Sequence, residues 1–261
     1  MSTTKSQAQP GRVILVGAGP GAPDLLTVRA VAALGMADVV VHDGLIDGGV
    51  FSYVRPDAQR ISVAKKRDRH TMPQEDINAL LIAFARAGQV VIRLKGGDPF
   101  IFGRGGEEVA ACRAAGVDVE VIPGVSSALG SAAAALIPLT HRDHANAVTF
   151  VAGTCQGLAE QEWSGLVGQG RTLVVYMGVT AADAIAEKLM EQGISPNLPV
   201  AVLERGTLPG MRTLRTYLAD LGPLVARTKV ISPALLVIGE VAALNHDVLT
   251  EIVTNHLESI A

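Results

Sequence analysis

Residues 90–108 read VVIRLKGGDPFIFGRGGEE, and this stretch decides the fold. Val90 to Leu94 has the β-branched, apolar character of a buried strand. Five glycines follow within eleven residues, from Gly96 to Gly106. Gly96 and Gly97 remove side chains where the strand ends, Asp98 turns the chain ahead of Pro99, and Ile101 and Phe102 provide apolar walls. Glu107 and Glu108 then stand in the first turn of an expected helix, where the macrodipole favours carboxylates. Strand, glycine loop and helix in succession form the repeating unit of a layered α/β protein. A loop this rich in glycine suits close approach by a flat, partly apolar ligand.

The same rhythm extends in both directions. Strands are expected at 12–17, 38–42, 90–94 and 117–122. After a stretch at 137–145 that contains proline and histidine, strands resume near 147–152, 172–177, 199–204 and 234–238. The alternation with helical patterns predicts parallel α/β layers along the whole length. It predicts an N-terminal α/β domain over 11–140, a C-terminal one over 145–245 and a helix or tail over 246–261. Ile77, Leu80, Leu81 and Phe84 recur on one face of a helix expected at 73–87, with Thr71 and Gln74 at capping-box spacing and Gly88 as the stop. The Ala-rich run 132–135 reads as a tightly packed helix.

Composition narrows the function. The 261 residues are 49% apolar, 18% charged and 3% aromatic, which excludes a disordered chain and leaves enough apolar side chains for a large core. A net charge of −3 with few aromatics argues against nucleic acid as partner. Cys112 and Cys155 stand apart, so neither a disulfide framework nor a zinc site is expected and a reducing compartment fits. His141 and His144 lack a third ligand at a familiar spacing, and no metal is expected. With no apolar signal segment near residue 1 and no unbroken membrane-length apolar run, the expected location is the cytoplasm.

A second glycine loop, Gly17-Ala18-Gly19-Pro20-Gly21-Ala22, follows the first strand and matches the G-x-G-x-x-A pattern of dinucleotide sites. Pro20 and Pro23 each remove a backbone N–H that a pyrophosphate cradle needs, which argues for a ligand approached closely but without a phosphate. Asp43, at the end of the next strand, reads either as a ribose-binding acid or as a turn former.

The segments VGAGPGAPDLLT, VVVHDGLI, AKKRDRHTMPQEDIN, RLKGGDPFIFGRGGEE, IPGVSSALGSAAAALIPLTHR, VVYMG, LERGT and SPALLVIGEV, spread over residues 12–244, resemble the tetrapyrrole methylases. Within that family, the spacing Lys65, His70, Gln74, Ile77, Asn78 points to members that act on uroporphyrinogen III. The resemblance implies two α/β domains with the active site in the cleft between them, a homodimer, and S-adenosylmethionine as methyl donor. It implies that Pro20, Gly96, Gly97, Asp98, Ile101, Ser126, Ser127, Met177 and Gly206 surround this cofactor. The implied reaction methylates C2 and then C7 of uroporphyrinogen III, giving precorrin-1 and precorrin-2, with Asp43 as base and Lys65 as its proton-donating counterpart. An acceptor with eight carboxylates needs concentrated positive charge, and Lys66, Arg67, Arg69, His70, Arg104 and Arg142 are expected to meet it, with Arg60 and His141 nearby.

The chain departs from the family pattern at Ala64, Thr154 and Met211, where Gly, His and Gln are usual. Three other readings compete: a methylase of a later corrin intermediate such as precorrin-4 or a cobalt-precorrin, a nicotinamide or flavin oxidoreductase, and a binding module without turnover. The residues at 65–78 argue against the first. Pro20, Pro23 and the 94–108 loop argue against the second.

Overall fold

The computed structural model describes residues 11–64, 72–153 and 163–244. The chain divides into two compact units, 1–127 and 128–261. This division falls earlier than the break expected at 140–145, because Ala128, Ala132 and Ile137 pack with Val174, Tyr176, Leu203 and Leu235 of the second unit. Residues 246–261 lie outside the described residues.

In the first unit, strands β1 (Arg12–Gly17), β2 (Val39–His42), β3 (Gln59–Ser62), β4 (Val90–Lys95) and β5 (Asp118–Ile122) form one sheet in the order β3-β2-β4-β1-β5. Every pairing is parallel. Helices cover both faces, as an all-parallel sheet requires. Ile14, Val16, Val40, Ile92 and Leu94 pack with Ala30, Ala33 and Leu34 of α1 (Val28–Leu34). Val13, Leu15, Val39, Val41 and Val91 face the other way, towards Ile77, Leu81 and Ala85 of α2 (Gln74–Arg86) and Cys112 of α3 (Gly105–Ala114). Each fully buried aliphatic side chain contributes about 1.5–3 kcal/mol, so these two clusters supply most of the unit's cohesion.

Pro73, at a φ of −55°, precedes helix α2 as its cap residue and makes no side-chain capping bond. Thr71, the expected capping-box residue, lies outside the described residues, and Gln74 is the first helical residue. Gly88, at a φ of +84°, ends the helix in the left-handed region as expected.

The second unit holds β6 (Ala145–Ala152), β7 (Gly170–Tyr176), β8 (Pro199–Glu204), β9 (Arg212–Tyr217) and β10 (Ala234–Ile238), in the order β6-β7-β10-β8-β9. Only β6 and β7 run parallel, while β10 is antiparallel to β7 and β8, and β8 to β9. The expectation of parallel layers throughout fails here, because β8 returns as β9 through a short turn at 205–211 that needs no crossover helix. Leu173, Val175, Val200, Val202 and Leu236 pack under α5 (Ala182–Glu191) and α6 (Leu221–Thr228). The opposite face packs against α4 (Ser127–Ala134), where Ala128, Gly130, Ser131 and Ala132 are buried. The alanine-rich run is helical only as far as Ala134.

Candidate active site

Three glycines meet where β1, β4 and β5 of the first unit end. A Cβ on Gly17 would lie 2.5 Å from the Gly124 nitrogen and 2.6 Å from the Gly97 oxygen, distances that atoms do not adopt. Only bare backbone fits at this crossing. Gly19 and Gly97 exchange backbone bonds of 3.2 and 2.7 Å, which tie the first glycine loop to the second. Pro20, half-buried, continues from that bridge. Gly97 has a φ of +64°, which a side chain would strain, and Ser127 Oγ lies 3.3 Å from where its Cβ would stand.

Asp98 fastens the loop. Its Oδ1 accepts the Phe100 N–H at 2.8 Å and its Oδ2 accepts the Gly124 N–H at 3.1 Å. Each carboxylate oxygen has a second lone pair with which to meet a ligand hydroxyl or ammonium. Beyond it, Phe100, Ile101 and Phe102 expose their side chains, and Phe102 and Arg104 hold left-handed backbone with φ of 53° and 58°. Ser126 is buried where the chain leaves β5. Gly96 is exposed at the end of β4.

Residue alternation explains the second feature. Val91, Arg93 and Lys95 share one face of β4, and Val39, Val41 and Asp43 follow the same face along β2. Apolar contact with α2 and α3 therefore gives way, towards the strand ends, to charge. Glu108 in the first turn of α3 is fully buried, and its Oε1 accepts from Arg93 Nε at 2.9 Å, Lys95 Nζ at 3.2 Å and Gln74 Nε2 at 3.2 Å. Gln74 also donates to Asn78 Oδ1 at 3.1 Å. Arg93 reaches across with Nη2 to Asp43 Oδ1 at 2.5 Å, and its Nη1 bonds the Leu94 and Val41 carbonyl oxygens at 3.3 and 3.5 Å. Burial opposes the Arg93 charge, but Asp43 and Glu108 together push its pKa above the ordinary value. Burial, aided by repulsion from Arg93, pushes Lys95 below its own.

Glu107 keeps the role expected of it: exposed in the first turn, it holds Arg104 through Nε at 2.8 Å and Nη2 at 2.7 Å, and this pairing lowers its pKa. Glu108 shares the expected first-turn place and is in addition an internal counter-ion, and the sequence signal that would have found this second role is the pair of cations, Arg93 and Lys95, in an otherwise apolar strand. Arg60 lies on the outer strand β3 with its guanidinium 5.3 Å from the Phe51 ring centroid. Lys65, Lys66, Arg67, Arg69 and His70 lie outside the described residues.

The second unit carries Met177, Gly206 and Arg142. Met177 follows β7, half-exposed, at a φ of 53°. Gly206 is buried against Ser131 between two further left-handed residues, Arg205 at 52° and Thr207 at 66°. Such backbone costs about 1–3 kcal/mol per residue and concentrates where loops form ligand sites. Thr207 N–H donates to Met211 Sδ at 3.4 Å, so the sulfur at this departure from the family pattern closes the turn. Arg142 is exposed in the bend ahead of β6. His144 Nδ1 lies 3.1 Å from Glu240 Oε2.

A siroheme synthase of Gluconacetobacter diazotrophicus is 51% identical over 242 residues, covering 92% of this chain and 51% of that protein. The chain thus spans about half the length of the curated relatives it matches. A crystal structure of uroporphyrin-III-C-methyltransferase from Thermus thermophilus superposes with a TM-score of 0.76 at 41% identity, covering 90% of this chain and 95% of that one. The structure of the Thermus enzyme complexed with S-adenyl homocysteine gives a TM-score of 0.76 at 39% identity, covering 88% and 93%. The family pattern of the tetrapyrrole (corrin/porphyrin) methylases matches residues 12–222, and the chain belongs to that family.

Proposed function

We propose that the chain transfers methyl groups from S-adenosylmethionine to uroporphyrinogen III, at C2 and then C7, giving precorrin-2 by way of precorrin-1. The observation that supports this reading is the crossing of Gly17, Gly97 and Gly124, where backbone packs on backbone and ties the two glycine loops together at the strand ends, with Asp98 and Pro20 beside it. S-adenosylmethionine, when bound, supplies an electrophilic methyl group on a sulfonium. Gly96, Gly97, Asp98, Ile101, Ser126 and Ser127 of the first unit, with Pro20, are the residues proposed to hold it, and Met177 and Gly206 are proposed as cofactor contacts from the second. Asp98 suits the ribose hydroxyls or the amino group of the methionyl part.

Methyl transfer is a displacement in which the C–S bond breaks as the new C–C bond forms. The protein's task is to set donor and acceptor about 3 Å apart and to exclude water. The pyrrole carbon gains the methyl group and the macrocycle becomes cationic until it loses a proton. Asp43, half-exposed at the end of β2, is proposed to take that proton, with Lys65 as its proton-donating counterpart in moving a further proton between ring positions, so that each methylation releases one proton net. Arg104 and Arg142, with Lys66, Arg67, Arg69 and His70, are proposed to meet the acceptor's carboxylates. A homodimer in the cytoplasm is part of the same proposal.

The test is anaerobic incubation of the chain with uroporphyrinogen III and S-adenosylmethionine, followed by mass spectrometry. Products heavier by one and two methyl groups support the reading. Binding of S-adenosylhomocysteine without mass gain moves the acceptor to a later corrin intermediate.

A further inference from the structure

We propose that Arg93 is a positioning residue for the reaction: anchored by Glu108, it fixes the Asp43 carboxylate through which the macrocycle loses its proton. This rests on the reading of Asp43 as the base. Arg93 and Glu108 have 3% and 0% of their side chains exposed, whereas Asp43 has 34%. A guanidinium at the middle of a five-stranded sheet carries a desolvation cost that an aliphatic residue would avoid, and packing alone gives no reason for it. Its hydrogen bonds show what the cost accomplishes. Nε is held by Glu108 at 2.9 Å, Nη1 by the Leu94 and Val41 carbonyls, and the remaining arm ends on Asp43 Oδ1 at 2.5 Å, the partly exposed end of an otherwise buried chain of charges.

The planar fork makes the arrangement directional. Three edges of one rigid group are fixed by two elements, β2 and α3, so the Asp43 carboxylate is held at a set place and angle relative to the sheet. Lys95 and Gln74 share the Glu108 oxygen that anchors Arg93, at 3.2 Å each, and thereby keep Glu108 from rotating away. An ammonium at position 93 cannot bridge both carboxylates, because a point charge on a flexible stem lacks the fork's second and third edges.

The test uses the full chain with Arg93→Gln, Arg93→Lys and Glu108→Gln. In variants that fold, judged by circular dichroism and S-adenosylhomocysteine affinity within about threefold of the parent, kcat should fall about 30-fold or more with KM for the acceptor little changed. Arg93→Lys should show the same loss as Arg93→Gln to within about threefold, the retained charge giving no rescue. Labelling of Asp43 by a carbodiimide and an amine, read by peptide mass spectrometry, should rise about threefold or more when the guanidinium is removed. A kcat within about twofold of the parent, or a loss of kcat matched by a rise in KM for the acceptor with Asp43 labelling unchanged, overturns the proposal. If the parent itself does not methylate uroporphyrinogen III, the functional reading fails and labelling decides alone: a rise keeps Arg93 as the residue that holds Asp43, and no change removes it. Should Arg93→Gln not fold, Arg93→Lys and Glu108→Gln carry the same comparison.

Discussion

Asp43 and Lys95 give the sharpest consequences of single side chains. Asp43→Asn keeps the shape of the carboxylate but not its basicity, and we expect methylation to slow about 10²-fold or more while S-adenosylhomocysteine binding, by calorimetry, stays within a few-fold. Loss of that binding with normal turnover at saturating donor would contradict the assignment. Lys95 has a folded pKa below the ordinary 10.5, first through burial and then through repulsion by Arg93. Between the two values the unfolded chain binds more protons, so stability linked to Lys95 is fully present above 10.5 and is lost as pH falls through the folded value. Urea unfolding of the parent and of Lys95→Met should therefore show the parent gaining on the variant as pH rises towards 10.5. A difference independent of pH would mean that Lys95 titrates alike in both states. The places of Asp43 and Asp98, just beyond β2 and β4, were legible in the sequence because each lies where an apolar strand gives way to a turn. The ion pairing of Glu108 was missed because first-turn placement describes Glu107 beside it equally well, and only the alternation of Arg93 and Lys95 along β4 separates the two.

Strand ends and helix starts show how far elements could be read. Strands β1, β4, β8 and β10 stand within a residue of their expected places, since each is a run of Val, Ile and Leu bounded by breakers. The sequence offered no such signal for β3, QRIS, or β9, RTLRTY, because outer strands pair on one side only and carry polar residues. Glycines that look alike in sequence also differ in duty. A Cβ on Gly124 would strike the backbone at Gly97 and Gly17, so Gly124→Ala should cost about 1–3 kcal/mol or more and weaken S-adenosylhomocysteine binding. Gly106, in the first turn of α3, has nothing within 4 Å of that position. There Gly106→Ala should stabilise by about 0.5–1 kcal/mol, through the lower entropy of the unfolded chain. Chemical denaturation of the two variants in parallel checks both signs.

At the scale of the molecule, the family resemblance spans both units, whereas composition and periodicity alone gave two α/β layers and missed the antiparallel pairing of the second. Periodicity reports which residues face inward but not which way a strand runs, and β8, β9 and β10 carry no mark of direction. If the chain binds S-adenosylhomocysteine only when folded, the ligand at a hundred times its Kd should add about 2.7 kcal/mol and raise Tm in step with the logarithm of its concentration. A Tm indifferent to the ligand would argue against a preformed site. The order of the first sheet also sets a schedule for its synthesis. Strand β1 lies near the centre of that sheet, yet its partners β4 and β5 begin pairing at Val90 and Asp118. On a ribosome moving at ~5–20 residues per second, the strand that leads into the Gly17 crossing waits roughly 5–20 s for β5 to be made, and meanwhile remains a hydrophobic segment for chaperones to shelter.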